Sequence, residues 1–271
     1  MPTVKTNGIE MYYERHGDGK PLVLLHGATS DHQLWRNQVD SLSDEYEVIT
    51  YDMRGHGKTG GSTLPRYTVD LYADDLRAFI NALELDSPYI CGLSMGGMTA
   101  LTYATRYPDE LSALIVAGTV TPETQTLKES LVMRGLYPVM TKLTGLLGYN
   151  RVQSGILWAY DRISDKDVDE LASEAEEIRE QEVELEPGEY EKIMGAAITY
   201  RKACLLLENV SVPTLVLYGE TEPFIREHLH TYRLHIPDVE IQEIADAGHN
   251  SHIENPDAFT TALREFLHTL E

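Results

Sequence analysis

Residues 88–97 read Pro88-Tyr89-Ile90-Cys91-Gly92-Leu93-Ser94-Met95-Gly96-Gly97. The run from Pro88 to Leu93 is short and apolar and reads as a buried strand, and a helical pattern begins directly after Ser94. Between them sits Gly92-x-Ser94-x-Gly96. A serine on a sharp strand-to-helix turn has its hydroxyl standing clear of the backbone, and small residues on either side let strand and helix approach closely. Backbone N–H groups at the start of the new helix favour negative charge developing nearby. The plain alternative, Ser94 as a simple helix cap, leaves the two glycines without a purpose.

Working outward, the same alternation repeats. Thr3 to Lys5 and Ile9 to Tyr13 flank Asn7-Gly8, a two-residue hairpin signal. Pro21 to Leu25 and Val48 to Tyr51 are apolar strands, each running into a Gly-containing loop. His32 to Leu42 and about Val69 to Leu83 carry apolar residues at helical spacing, as with Leu71, Leu76, Phe79, Ile80 and Leu83. Leu111 to Ala117, Pro213 to Tyr218 and Val239 to Ile244 complete the strands. Asn255-Pro256-Asp257 places a cap residue before a first-turn proline and opens the last helix. Short apolar strands between amphipathic helices predict an α/β fold: a mostly parallel twisted sheet with helices on both faces. From Thr121 to Lys202 no strand pattern occurs, only helical ones. The expected organisation is a core domain of residues 1–120 and 203–271, with 121–202 inserted as a helical cap over the ligand side of the sheet.

The chain has 271 residues, enough for one sizeable core. Lys and Arg number 22 against 44 Asp and Glu, a formal net charge of −22. Such a surface repels nucleic-acid phosphates, so no nucleic-acid partner is expected. It suits a protein hydrated in concentrated salt, where screening confines self-repulsion to a few Å. The reading adopted is a cytoplasmic protein of a salt-loving organism, against an ordinary acidic enzyme with one very acidic segment. Residues 161–191 hold 14 carboxylates and three basic residues, without calcium-loop spacing, and read as a solvated acidic face. Two cysteines, Cys91 and Cys204, suggest a reducing compartment without a disulfide framework. No apolar leader or bilayer-length stretch occurs, so no membrane partner is expected.

The serine elbow, together with Leu24-Leu25-His26-Gly27-Ala28, Asp52-Met53-Arg54-Gly55-His56-Gly57, Leu217-Tyr218-Gly219-Glu220-Thr221-Glu222 and Ala247-Gly248-His249, resembles the α/β-hydrolase superfamily, over nearly the whole chain outside 121–202. The order Ser, acid, His also matches that family. The resemblance implies Ser94 as nucleophile and His249 as general base, with Glu222 as the acid that orients His249. This chain departs from the family in having Glu rather than Asp there, and Glu220 remains a rival. The resemblance puts the oxyanion-hole amides on Ala28 and Met95. His26 reads as structural, His252 as a residue lying behind the triad or at the surface, and the Asp52–Gly57 loop as support for the core. The one close histidine pair, His228-x-His230, does not share a helix face, so no metal is expected. No dinucleotide fingerprint occurs, and no cofactor is expected.

The reaction implied is cofactor-independent hydrolysis of an ester-type bond (carboxylic ester, lactone or thioester) of a small molecule, through an acyl-serine. A C–C hydrolase or perhydrolase using the same triad is an alternative. So is a ligand-binding receptor or scaffold of the same fold with slow turnover. Neither a monomer nor a homo-oligomer is assigned. Met133, Met140, Trp158 and Tyr160 in the insertion are the expected pocket-lining residues, favouring small or medium acyl substrates over polymers.

Overall fold

In the computed structural model the described residues are 2–122, 139, 142–144, 185–186, 188–200, 205–222 and 225–271. Eight strands form one sheet: β1 Thr3–Thr6, β2 Ile9–His16, β3 Lys20–Leu25, β4 Tyr46–Tyr51, β5 Tyr89–Leu93, β6 Ala113–Ala117, β7 Thr214–Gly219 and β8 Val239–Ile244. Their spatial order is β1-β2-β4-β3-β5-β6-β7-β8. β1 and β2 pair antiparallel, as do β2 and β4, and every later pairing is parallel. The hairpin turns at Asn7 and Gly8, both at positive φ (43° and 77°), the twist that matches paired strands.

The helices are α1 Arg36–Leu42, α2 Val69–Ala82, α3 Met95–Arg106, α4 Glu189–Tyr200, α5 Arg226–His235, α6 Ser251–Glu254 and α7 Pro256–His268. Local chemistry sets their starts. The Thr68 hydroxyl accepts from the Leu71 N–H at the head of α2, and Asn255 Oδ1 accepts from the Ala258 N–H at the head of α7, with Pro256 in the first turn. The segment from His32 begins as a 3₁₀ turn, His32–Trp35, and becomes α-helical only at Arg36.

Alternation along the strands divides the core in two. Val23, Leu25, Ile90, Leu114, Val116 and Val216 face α2, α3 and α5. Leu22, Leu24, Tyr89, Cys91, Ile115, Leu215 and Leu217 face α1 and α7. Strands β5 and β6 are buried along their whole length, which is why they read as continuous apolar runs rather than alternating ones.

The chain leaves β3 toward β4 on one side, then returns past β3 to form β5 on the other. The loops after β3 and β5 therefore diverge, opening a crevice at the carboxyl ends of the strands, where ligands bind in open α/β sheets. Gly27-Ala28 follows β3 and Ser94 follows β5.

Of the expected insertion, α4 is the longest described element. It is tied to the loop before α2: the Tyr67 hydroxyl donates to Glu189 Oε2 (2.6 Å), and Lys192 Nζ donates to Glu189 Oε1 (2.7 Å) and the Ser62 carbonyl (2.8 Å). Met133, Met140, Trp158, Tyr160 and Cys204 lie outside the described residues. No helix among the described residues is long and apolar enough to cross a membrane.

Candidate active site

Ser94 sits between β5 and α3 at φ 53°, ψ −114°, a conformation that a non-glycine residue holds only when its surroundings impose it. The surroundings are visible. Its N–H donates to the Ala117 carbonyl (2.9 Å), its carbonyl accepts from the Met98 N–H (2.9 Å), and the Thr119 hydroxyl donates to the same carbonyl (3.3 Å). A Cβ on Gly96 would collide with the Leu25 and His26 carbonyls, so only glycine lets α3 begin this close to the end of β3. That contact sets Ala28 and the first amide of α3, Met95, on the two loops that flank the serine.

His249 and Glu222 come together from the ends of β8 and β7. The two loops are joined by the Thr221 N–H and hydroxyl, both donating to the Ala247 carbonyl (3.0 and 3.2 Å). His249 Nδ1 donates to Glu222 Oε1 at 2.6 Å. This contact fixes the proton on Nδ1 and leaves Nε2 as the acceptor. Glu222 is buried, while about half of the His249 side chain (47%) is exposed. Glu220 is exposed and instead accepts from the Asp246 N–H (3.1 Å). Gly118, at φ 50°, is the meeting point. A side chain there would press on both the His249 ring and Glu222 Oε1 at about 3 Å, and the preceding residue, Ala117, holds Ser94. Serine, histidine and carboxylate thus surround one turn at the end of β6. The Ser94 hydroxyl makes no hydrogen bond to His249 among the described residues, as is common in unliganded sites whose bonds tighten around substrate.

Behind the loop after β3 lies a layer that the sequence reading treated only as core support. The Asp52–Gly57 loop does support the core: Arg54 makes a buried two-pronged pair with Asp75 of α2 (2.7 and 2.6 Å). It also holds the Gly27–His32 loop. His26 Nδ1 donates to the Gly27 carbonyl (2.7 Å), and its Nε2 accepts from the Met53 N–H (3.0 Å). His56 Nδ1 donates to the Arg54 carbonyl (3.0 Å), and its Nε2 accepts from the Thr29 N–H (3.3 Å). Both rings must be neutral to accept in this way. Burial pushes both histidines down, His56 to about 3, with the neighbouring His26, its ring 4.8 Å away, adding to the effect on His56 and His32 adding to that on His26.

His32 is the opposite case. Burial works against its charge, but the hydrogen bond from Nδ1 to Asp52 Oδ1 (2.7 Å) and the charges of Asp52, Asp31 and Glu14 outweigh burial and raise its pKa. Asp52 is desolvated too, yet its bonds to His32 and the Lys58 N–H hold its carboxyl below the usual range. Asp31, His32 and Asp52 place ligand-type atoms within 4.8 Å of one another. Asp52 nevertheless spends both oxygens on these bonds, which reads as a buried ion pair rather than a metal cradle. Sequence reasoning missed this triplet because only histidines close in sequence were compared.

His252, expected from the sequence to lie behind the triad or at the surface, is completely buried, with its ring 4.8 Å from Trp35.

Comparison with known proteins agrees with this architecture. A family model described as alpha/beta hydrolase fold matches residues 20–256. A 3-oxoadipate enol-lactonase of Acinetobacter baylyi is 24% identical, the match covering 92% of this chain and 89% of the relative. Among solved structures, a thermophilic esterase from Thermogutta terrifontis is 28% identical, with 99% of this chain and 97% of that one covered and a TM-score of 0.76. A carboxylesterase structure from the thaumarchaeon Nitrososphaera gargenis, 22% identical, matches in fold with a TM-score of 0.84 over 99% of this chain and 98% of that one.

Proposed function

This chain belongs to the α/β-hydrolase family, and from that premise we propose that Ser94, His249 and Glu222 are its nucleophile, general base and orienting acid. It is a hydrolase of ester-type bonds, in keeping with lactonase and esterase relatives. The observation that carries the residue assignment is the 2.6 Å contact between His249 and Glu222, set around the same turn of chain that holds Ser94 at its strained elbow.

The steps follow from these positions. Ser94 Oγ attacks the substrate carbonyl carbon as its proton passes to His249 Nε2. Negative charge on the carbonyl oxygen is met by the N–H groups of Met95 and Ala28. Glu222 stabilises the imidazolium through Nδ1, and the imidazolium gives its proton to the departing alkoxide or thiolate as the carbonyl–heteroatom bond breaks. The acyl group is left on Ser94. Water then transfers a proton to His249, attacks the acyl carbon and releases the acid, and Ser94 recovers its proton. No step calls on a group other than these side chains, two amides and water.

The substrate is a small molecule. Residues 121–202 serve as a helical cap, with Met133, Met140, Trp158 and Tyr160 setting acyl preference. The acidic surface adapts the protein to a salt-rich cytoplasm. The deciding experiment runs a panel of acyl esters, thioesters and lactones with wild type and Ser94→Ala, in dilute and molar salt. Turnover by wild type with a burst of one acyl group per chain is expected. A wild type that binds such compounds without turning any of them over would refute the reading in favour of a receptor.

A further inference from the structure

Four polar side chains from three elements of the fold are sealed from solvent: Trp35 at the end of the 3₁₀ turn, Gln38 in α1, and Ser251 and His252 in α6. Their placement is well defined. The Trp35 and His252 rings lie 4.8 Å apart, and each also packs on Phe259 of α7 (6.1 and 5.9 Å). Gln38 Nε2 donates to the His252 carbonyl (2.9 Å) and to Thr260 Oγ1 (3.3 Å), which orients the amide and points its oxygen elsewhere. Yet five polar atoms here find no protein partner: Trp35 Nε1, Gln38 Oε1, Ser251 Oγ and both ring nitrogens of His252. Buried polar atoms in native proteins are nearly always hydrogen-bonded, to protein or to ordered water.

The types of these atoms identify the missing partner. Trp35 Nε1 can only donate, and Gln38 Oε1 can only accept. Burial first, and the nearby His249 second, push His252 down to about 3, so its ring is neutral and offers one donor and one acceptor. A cation would face the Trp35 N–H, and an anion would face the Gln38 oxygen. Only a small ligand that both donates and accepts satisfies the whole set.

We propose that Trp35, Gln38, Ser251 and His252 enclose an internal water site that braces α6 and, through it, the turn carrying His249. His252 is thus a positioning residue: it follows His249 by three residues, its carbonyl is anchored by Gln38, and its ring closes the hydrated pocket. The positioning half rests on the assignment of His249 as general base, and the water half does not.

The test has two arms. A crystal structure of the wild type at about 1.5 Å or better should show ordered water within roughly 2.6–3.2 Å of Trp35 Nε1, Gln38 Oε1 and a His252 nitrogen. A dry pocket, with Trp35 Nε1 bonded directly to the His252 ring or to nothing, overturns the site whatever the protein hydrolyses. For the positioning role, kcat and KM are measured with a small activated ester. His252→Phe, which keeps the bulk and removes both nitrogens, should lower kcat about tenfold with KM held within about twofold. His252→Gln, which restores a donor and an acceptor, should recover most of that loss. Equal kcat in all three proteins overturns the positioning role, as does a loss confined to KM. If His252→Phe does not fold, Trp35→Phe, which removes the indole N–H facing the same pocket, takes its place: a kcat loss of about tenfold at nearly constant KM is expected, and an unchanged kcat overturns the positioning role. Absence of esterase activity in the wild type, with water in place, would refute the functional assignment and leave the site standing.

Discussion

Lowering the pH from 7 to 5.5 should destabilise this protein, and two buried histidines set the size of the effect. His56 and His252 are fully enclosed and held neutral, each pushed to about 3 from an ordinary value of 6.5. In the unfolded chain they take up protons below 6.5, and in the folded chain they do not. The sign follows: for a depressed histidine the native state binds fewer protons, so stability is full above 6.5 and lost as pH falls toward the folded pKa. One proton of difference is worth about 1.4 kcal/mol per pH unit, so the pair removes about 2 to 3 kcal/mol between pH 7 and 5.5. His26, shifted in the same direction, adds to the loss. His32, whose pKa is raised, contributes stability that is fully present below 6.5 and lost only as pH rises through its folded value. It therefore adds no slope between 6.5 and 5.5. Asp52 is held low and titrates in neither state across this range.

The measurement is urea unfolding at pH 7, 6.5, 6 and 5.5 in molar KCl, where general charge repulsion is screened to about 3 Å. The informative variant is His56→Gln. A glutamine can accept from the Thr29 N–H and donate to the Arg54 carbonyl as the ring does, but it does not titrate. Its pH slope should be shallower than that of wild type by about 0.8 kcal/mol per unit averaged from pH 7 to 5.5, approaching about 1.4 only well below 6.5. A wild-type stability that is flat from pH 7 to 5.5, or a slope unchanged in His56→Gln, would show that these rings are not held neutral by the fold.

Three further outcomes are expected. Ser94→Ala should keep its thermal unfolding temperature within a few degrees and lose on the order of 10³-fold or more in kcat on an activated ester, and a purified variant retaining most activity would end the assignment. Glu222→Gln, which leaves size but removes the charge facing His249, should lower kcat by about 10³- to 10⁴-fold, while Glu220→Gln stays within a few-fold; the reverse order would move the acid to Glu220. Thermal unfolding temperature should rise from dilute buffer to molar KCl, because a net charge of −22 opposes the compact state when unscreened, and a flat or falling curve would dismiss the salt-adapted reading.

What the sequence made legible was whatever is encoded locally. The strand at Tyr89–Leu93, the elbow at Ser94 and the Asn255-Pro256 cap depend on neighbours in the chain, and each lies within a residue or two of where its pattern put it. The split between Glu220 and Glu222 was not local. It turns on how the β7 loop leans against Ala247, a contact across 26 residues that aims Glu222 at His249 and leaves Glu220 facing solvent. His252 shows the same limit. One helical turn past His249 on a short polar helix, it had little in its own pattern to mark it as buried, because Trp35, whose ring lies 4.8 Å from it, comes from the other end of the chain. The neutral pair His26 and His56 was equally hidden, since two histidines 30 residues apart acquire their tautomers only from carbonyls and amides brought in by folding.

These distant contacts also bear on the proposed oxyanion hole, whose loop has little side-chain chemistry of its own. Ala28 contributes only an amide, and an amide is useful only if it cannot turn away when charge develops. Its loop begins at His26, fixed to the Met53 N–H, and passes Thr29, held by His56 at φ 63°. It ends at His32, locked to Asp52 through both its ring and its backbone N–H. Three imidazoles therefore hold seven residues of chain, two by being neutral acceptors and one by donating to Asp52. The same residues account for the acid sensitivity argued above. His56 would lose this role only on protonation, which turns the acceptor facing Thr29 into a second donor; with its folded-state value at about 3, that happens well below the range in which the unfolded chain takes up its protons, so between pH 7 and 5.5 the folded molecules should keep the loop anchored while the unfolding free energy falls.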